Sequence, residues 1–229
     1  MALGTALLPT LSKQISKNEK GKALYTQNRA VEFCLILAIP ASIAIFIIAE
    51  PIIGSFFERG EFSATDRILS AKALQAFAVG IPAYILVKIL MPIFFARQNT
   101  VTPVKIAIFC VFINFLFNII LMQFYQHVGI AIATAISSWL NCILLLYVLL
   151  KSNEVVFDKL LKENFKKILI ANIIFAILVY YFKDFINIYS SYRFLNLSIF
   201  VLLGISFYVL LLNFFKIFIF SNFQLFKLR

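Results

Sequence analysis

The sequence predicts an all-α, polytopic membrane helix bundle of about six complete transmembrane helices preceded by a partial one, and three observations carry this. Hydrophobic residues make up 62% of the chain and charged residues only 14%, against roughly 45–50% and 25% in an average soluble domain. Several charge-free stretches approach the roughly 20 residues that a helix needs to cross about 30 Å of hydrocarbon. The 21 Lys and Arg, against 10 Asp and Glu, fall in short blocks between those stretches. That is how membrane proteins encode orientation, and it argues against a nucleic-acid surface.

Residues 2–12, ALGTALLPTLS, are apolar but too few to span. They read as the last part of a longer helix, so that the chain begins partway through one; a short interfacial helix is the alternative. No basic segment precedes them, as a signal peptide would require. Residues 13–29 are polar and basic and read as a loop plus the entry to the next helix. The first complete span covers 31–49, with Pro40 expected to kink it by removing a helical hydrogen bond. Glu50-Pro51 closes it, and 52–57 lie at the interface.

The mixed-charge segment 57–66, FERGEFSATD, ends in a helix cap at Ser63 or Thr65. The long helix that follows crosses the membrane between 73 and 95. A polar connection, 97–105, places Pro103 near the start of the next helix. Residues 106–126 hold no charge and form the third span, and a tight turn at 127–129 leads into the fourth, 128–150. Five lysines and three acids among Leu, Val and Phe make 151–167 an amphipathic linker. The fifth span, 168–182, is short and is lengthened by snorkelling lysines. The sixth runs over 194–215 and continues towards 220 before a basic end.

Bases on alternate loops set the orientation. One side receives fourteen, in 13–29, 97–105, 151–167 and at Lys227 and Arg229, and the other five, Arg59, Arg67, Lys72, Lys183 and Arg193. The fourteen belong in the cytoplasm, with the C-terminus.

Enzyme constellations are missing: the single histidine, His127, lies in a two-helix turn, and no Ser-His-acid set, HExxH, CxxC pair or phosphate-binding glycine loop is present. The chain therefore reads as not an enzyme and without a cofactor. Cys34, Cys110 and Cys142 sit apart in apolar runs and read as packed small side chains. Lys88 is the informative charge, because an ammonium inside a span costs at least about 2.5–3.5 kcal/mol to insert. It either lines a cavity that receives an anionic head group or snorkels to the cytoplasmic interface. Asn114 and Asn118 share one face of the third span, and Thr134, Ser138 and Asn141 make a polar stripe on the fourth. These residues hydrogen-bond between helices or hold a small cation on side-chain and backbone oxygens. Glu58, Glu61 and Asp66 fall in an outer loop and read as a solvated turn. Glu50 reads as an interfacial helix end or a hydrogen-bonding group at an outer gate.

Several of these segments carry a resemblance. ALGTALLPTLSK at 2–13, FFERGEFSATD at 56–66, ALQAFAVGIPAYILVKILMPIFFARQNTVTPVKIA at 73–107 and the Asn-bearing third span resemble the MurJ/MviN family of the multidrug/oligosaccharidyl-lipid/polysaccharide exporter superfamily. The most specific elements are Lys88, Pro92, Thr102, Pro103, Val104 and Lys105. Such proteins have fourteen helices, two six-helix lobes around a cavity and then two more beside a groove for a lipid tail. The resemblance implies that 1–150 is a partial C-terminal lobe, 151–167 a cytoplasmic linker, and 168–229 the additional helix pair and tail.

The activity it implies is the flipping of lipid II, an undecaprenyl-diphosphate-linked disaccharide peptide, across the bacterial inner membrane by alternating access. Some members hold a sodium ion, and the matching positions are Asn114, Asn118 and Thr134 with a backbone carbonyl near Ile130; Asn118 stands where such a site has an acid. Family cavities also depend on arginines of an N-terminal lobe. Transport is thus expected to require that lobe as a partner. An inactive gene remnant, a non-transporting membrane scaffold and half of a related polysaccharide-lipid exporter are the alternatives.

Overall fold

The computed structural model describes residues 2–58, 60–187 and 193–217. Arg59, Lys227 and Arg229 lie outside the described residues; the sixth span ends at Phe214 and does not continue as expected, since Lys216 turns the backbone to φ 52°, and 218–220 lie outside the described residues. The elements are α1 (Ala2–Ser16), α2 (Lys20–Ile47), α3 (Ala49–Phe57), α4 (Ala64–Phe95), α5 (Val101–Lys151), α6 (Lys159–Phe182), a 3₁₀ turn (Lys183–Asn187) and α7 (Arg193–Phe214). Five of them, α2 and α4 to α7, are long and apolar enough to cross a membrane.

Helix α5 supplies two crossings. Straight, its 51 residues would reach about 77 Å, far beyond a bilayer. Gln126 breaks it with φ 51° and ψ −131°. Asn114 then meets Ser137, 23 positions on, at 3.1 Å, where a continuous helix would hold them about 35 Å apart. The two limbs are antiparallel, and the described residues make six passes. A Cβ on Gly129 would lie 2.3 Å from the Leu121 carbonyl oxygen, so only glycine lets the returning limb start so close to the outgoing one.

The starts of two helices differ from expectation. Helix α2 begins at Lys20, inside the expected loop, and α6 at Lys159, inside the expected linker. Asn28, Arg29 and Glu32 of α2 meet the start of α6 at Asp158 and Asn164. Asp158 caps α6, its side chain accepting from the Leu161 amide at 2.7 Å. Pro40 lies within α2, and the break comes later, at Ile48 (φ −102°, ψ 20°). Ser63 caps α4 in a reciprocal box with Asp66.

Helix α2 is the hub of two cores. Its first half packs Ala30, Val31 and Cys34 with Leu11 of α1, Val87, Leu90 and Phe94 of α4, and Leu145 and Leu149 of the second α5 limb. Its second half, through Ile36, meets Ile168, Ala171 and Phe175 of α6 and Phe200 and Tyr208 of α7. Prolines inside the spans need their freed carbonyls satisfied. Pro82 cannot donate to the Ala78 carbonyl one turn back, and Ser42 of α2 does so instead at 2.6 Å. Gly80 lets α4 approach the second α5 limb closely, since a Cβ there would stand 3.1 Å from Ala135 Cα.

Candidate functional site

The two limbs of α5 bring the predicted polar residues into one hydrogen-bonded seam. Asn118 Nδ2 donates to Asn114 Oδ1 at 3.0 Å, and Asn114 Nδ2 donates across the hairpin to Ser137 Oγ at 3.1 Å. Ser137 and Ser138 in turn donate to the Thr134 carbonyl at 3.0 and 2.8 Å, and Thr134 Oγ1 donates to the Ile130 carbonyl at 2.9 Å. The oxygens of Asn118 and Asn141 are buried without a hydrogen-bond partner. Hard cations take oxygen ligands, and the orphaned Asn118 Oδ1 is of that type; Asn114 Oδ1, Thr134 Oγ1 and the Ile130 carbonyl are linked to Asn118 through successive hydrogen bonds. All of these oxygens are neutral, and Asn114 Oδ1 and the Ile130 carbonyl already accept. Such a set would hold a monovalent ion only weakly. Among the described residues no cluster of three or more His, Cys, Asp or Glu could hold a metal.

Lys88 stands on a different face. Its neighbours Val87, Ile89 and Leu90 are buried in the lobe core, while Lys88 itself is exposed. Its ammonium lies 5.0 Å from the centroid of the Tyr84 ring, itself exposed. Tyr84 is one turn back towards the start of α4, so the side chain points away from the Phe95 end, to which snorkelling would carry it. A cation over an aromatic face is stabilised by roughly 0.5–1 kcal/mol when exposed, less than the insertion cost of the charge. Among the described residues no anionic side chain is paired with Lys88.

A groove of about 470 Å³ between α4 and the second α5 limb is lined by apolar side chains including Val79, Ala135, Ile136 and Trp139. Trp139 Nε1 donates to the Val79 carbonyl at 2.9 Å, which leaves the groove no polar group for a head group.

The ion-paired residues at the two ends are the ones sequence reasoning missed. At one end of the bundle Arg29 pairs with Glu32 on its own helix and with both Asp158 oxygens at 2.8 Å. Asn164 of α6 donates to Glu32 at 2.5 Å. Asn28 donates to the Val156 carbonyl at 2.8 Å and accepts from the Asp158 amide at 3.3 Å, and Arg97 donates to the Glu154 carbonyl at 2.9 Å. At the other end Glu58 accepts from Arg67 at 2.9 Å and from Arg193 at 2.5 Å. Glu50 also pairs with Arg67, at 3.2 Å, so Glu58 is ion-paired where the sequence suggested a solvated turn, and Glu50 where it suggested an interfacial helix end or a hydrogen-bonding group at an outer gate. The hydrogen bond from Arg67 comes first among the causes that hold the Glu58 carboxyl below its ordinary value, with the charges of Arg67 and Arg193 adding to it. The signal for the first cluster was available: Glu32 sits two positions into the expected first span, where a lone acid demands a partner just as Lys88 does.

The three cysteines are free and buried, and His127 is exposed beside the hairpin turn.

Comparison with known proteins agrees with this architecture. Residues 1–213 match the family model described as lipid II flippase MurJ. The probable lipid II flippase MurJ of Rickettsia prowazekii (strain Madrid E) is 37% identical over 201 residues, 86% of this chain and 39% of that protein. That of Haemophilus influenzae is 34% identical over 200 residues, 85% of this chain and 39% of that protein. A solved structure of lipid II flippase MurJ in an inward closed conformation gives a TM-score of 0.74 at 25% identity, covering 93% of this chain and 43% of that one. The chain spans about two-fifths of the length of the curated relatives it matches. With its six passes, its α5 hairpin and a family match over nearly all of its length, this multi-pass membrane chain belongs to the lipid II flippase MurJ family.

Proposed function

We propose that this chain is the C-terminal part of a lipid II flippase of the bacterial inner membrane. It works by alternating access together with an N-terminal lobe, either continuous with it or separately supplied. The observation that carries this reading is the family match over residues 1–213. Lys88 supplies the chemistry on this side of the cavity. It is exposed on α4, paired among the described residues with an aromatic ring, and suited to the diphosphate of an undecaprenyl-linked cargo, whose negative charge would complete the partnership that Tyr84 begins. Asn114, Asn118 and Thr134 would hold a sodium ion on neutral oxygens, the ion neutralising part of the seam's dipoles.

The base-rich end carrying Arg29, Arg97 and Lys151 faces the cytoplasm, by the excess of Lys and Arg on its loops. The C-terminus lies on that side. Residues 1–150 supply the partial lobe, and because α6 already begins at Lys159 the cytoplasmic connection to the additional pair is 151–158.

Complementation tests the proposal. In cells depleted of their own lipid II flippase, co-expression with an N-terminal lobe restores growth and the chain alone does not. Lys88→Arg keeps the rescue and Lys88→Glu abolishes it at equal membrane abundance. Rescue by the chain alone, or by Lys88→Glu, overturns it.

A further inference from the structure

We propose that the α6–α7 pair is not a mobile appendage but a fixed wall of the lobe, fastened to it by separate ionic clamps at the two ends of the helices. The sequence between the lobe and the pair, 151–158, mixes charged and apolar residues, and Val155 is buried in the lobe core with Phe157 packed against it. In the structure it is a strap tied at three successive points. Glu154 is held by Arg97, which donates to its carbonyl at 2.9 Å and faces its carboxylate at 3.8 Å. Val156 is held through its carbonyl by Asn28 at 2.8 Å, and Asp158 is held by Arg29, which donates to both of its oxygens at 2.8 Å.

The side chains doing the holding belong to α2 and the end of α4, the two central helices of the lobe core. Arg29 is 10% exposed and its partner Asp158 33%, and Glu32, 8% exposed, accepts from Asn164 of α6, so the α2 side of the clamp is shielded from the solvent that screens surface pairs. A buried pair that loses one partner leaves an uncompensated charge, and this opposes any motion that lifts α6 from α2.

The second clamp lies at the opposite end. Glu58 follows α3 and receives both Arg67 of α4 and Arg193, the first residue of α7. Phe56 meets Phe194 edge-on beside it, with ring centroids 5.4 Å apart. Gly54 makes room for this arrangement, since a Cβ there would stand 3.1 Å from Arg67 Cδ and 3.2 Å from Glu58 Oε2. One clamp alone would still let the pair swing about it. Two, at the start of α6 and the start of α7, remove that freedom, so any rearrangement of this lobe carries the pair with it.

Pulsed electron spin distances in the whole chain in lipid nanodiscs test this. One label pair sits at Leu37 of α2 and Leu202 of α7, both exposed, and a control pair at Phe112 and Ile143 on the two α5 limbs. The native cysteines are buried. The wild-type α2–α7 distance is a single narrow peak. Asp158→Asn with Arg97→Gln cuts the first clamp while keeping a capping side chain on α6, and Arg193→Gln cuts the second. Cutting both loses the narrow α2–α7 peak and leaves the control unchanged. A broad or split wild-type distribution overturns the proposal, as does a narrow one that survives both cuts. If the control also spreads, Arg97→Lys with Arg193→Lys keeps the charges but loses the forked donors. Broadening confined to α2–α7 then supports the proposal and its absence refutes it. The measurement reads geometry, so it stands apart from the outcome for transport.

Discussion

Alanine at Gly129 should force the α5 hairpin apart. Its Cβ would lie 2.3 Å from the Leu121 carbonyl oxygen, 2.5 Å from the Leu121 carbonyl carbon and 2.9 Å from the Met122 nitrogen. Carbon contacts sit at about 3.5–4.0 Å, so the overlap exceeds about 1 Å. All three obstructing atoms are backbone, and no side chain can rotate away. Overpacking typically costs about 1–3 kcal/mol, and a clash with backbone on a two-limb turn belongs at the top of that range.

At about 2–4 °C per kcal/mol for a protein of this size, the melting temperature should fall by about 6–12 °C. Gly21 is the internal control. A Cβ there meets nothing within 4 Å, and alanine in a helix is favoured over glycine by up to about 1 kcal/mol. Thermal unfolding of Gly129→Ala and Gly21→Ala in the same detergent compares them directly. If Gly129→Ala melts within about 2 °C of wild type, the hairpin geometry described above is wrong.

Three further outcomes are expected. Ser42→Ala should cost about 1–2 kcal/mol by orphaning the Ala78 carbonyl, and much less in a Pro82→Ala background, where residue 82 regains its own N–H; equal costs in both backgrounds would sink the pairing. Because the folded Glu58 carboxyl lies below its ordinary value of 4.5, its contribution is complete above that pH and is lost as pH falls through the depressed folded value. The stability gap between wild type and Glu58→Gln should therefore close in acid, and a gap that widens there would contradict the ion pair. Tyr208→Phe removes the hydroxyl that accepts from Asn172 Nδ2 at 3.3 Å. Since Asn172 keeps its bond to the Ile168 carbonyl, the loss in a denaturation assay should be near the average of about 0.6 kcal/mol for interhelical bonds in membranes.

Much of this could be read from composition and spacing. Long charge-free runs specify helices because an unpaired backbone group in hydrocarbon costs several kcal/mol. The count of six passes, the cap at Ser63 and the tight turn before the fourth span followed from local rules that act over a few residues. So did the seam residues Asn114, Asn118 and Thr134, since residues four apart share a helix face and a short turn makes two helices neighbours.

The ionic ties were not legible in the same way. Glu32 and Asn164 are 132 positions apart, and Arg193 is 135 from Glu58. No periodicity or motif connects residues so distant, and a short mixed stretch such as 151–158 looks alike whether it is a hinge or a strap. By itself the sequence determined that this chain is a membrane helix bundle, where its helices cross and which polar residues those helices carry. Only the tertiary structure decided which charges are buried together, because pairing depends on how α2 packs between α4 and α6. Desolvation then makes those pairs matter, where on a solvated loop the same residues would contribute little.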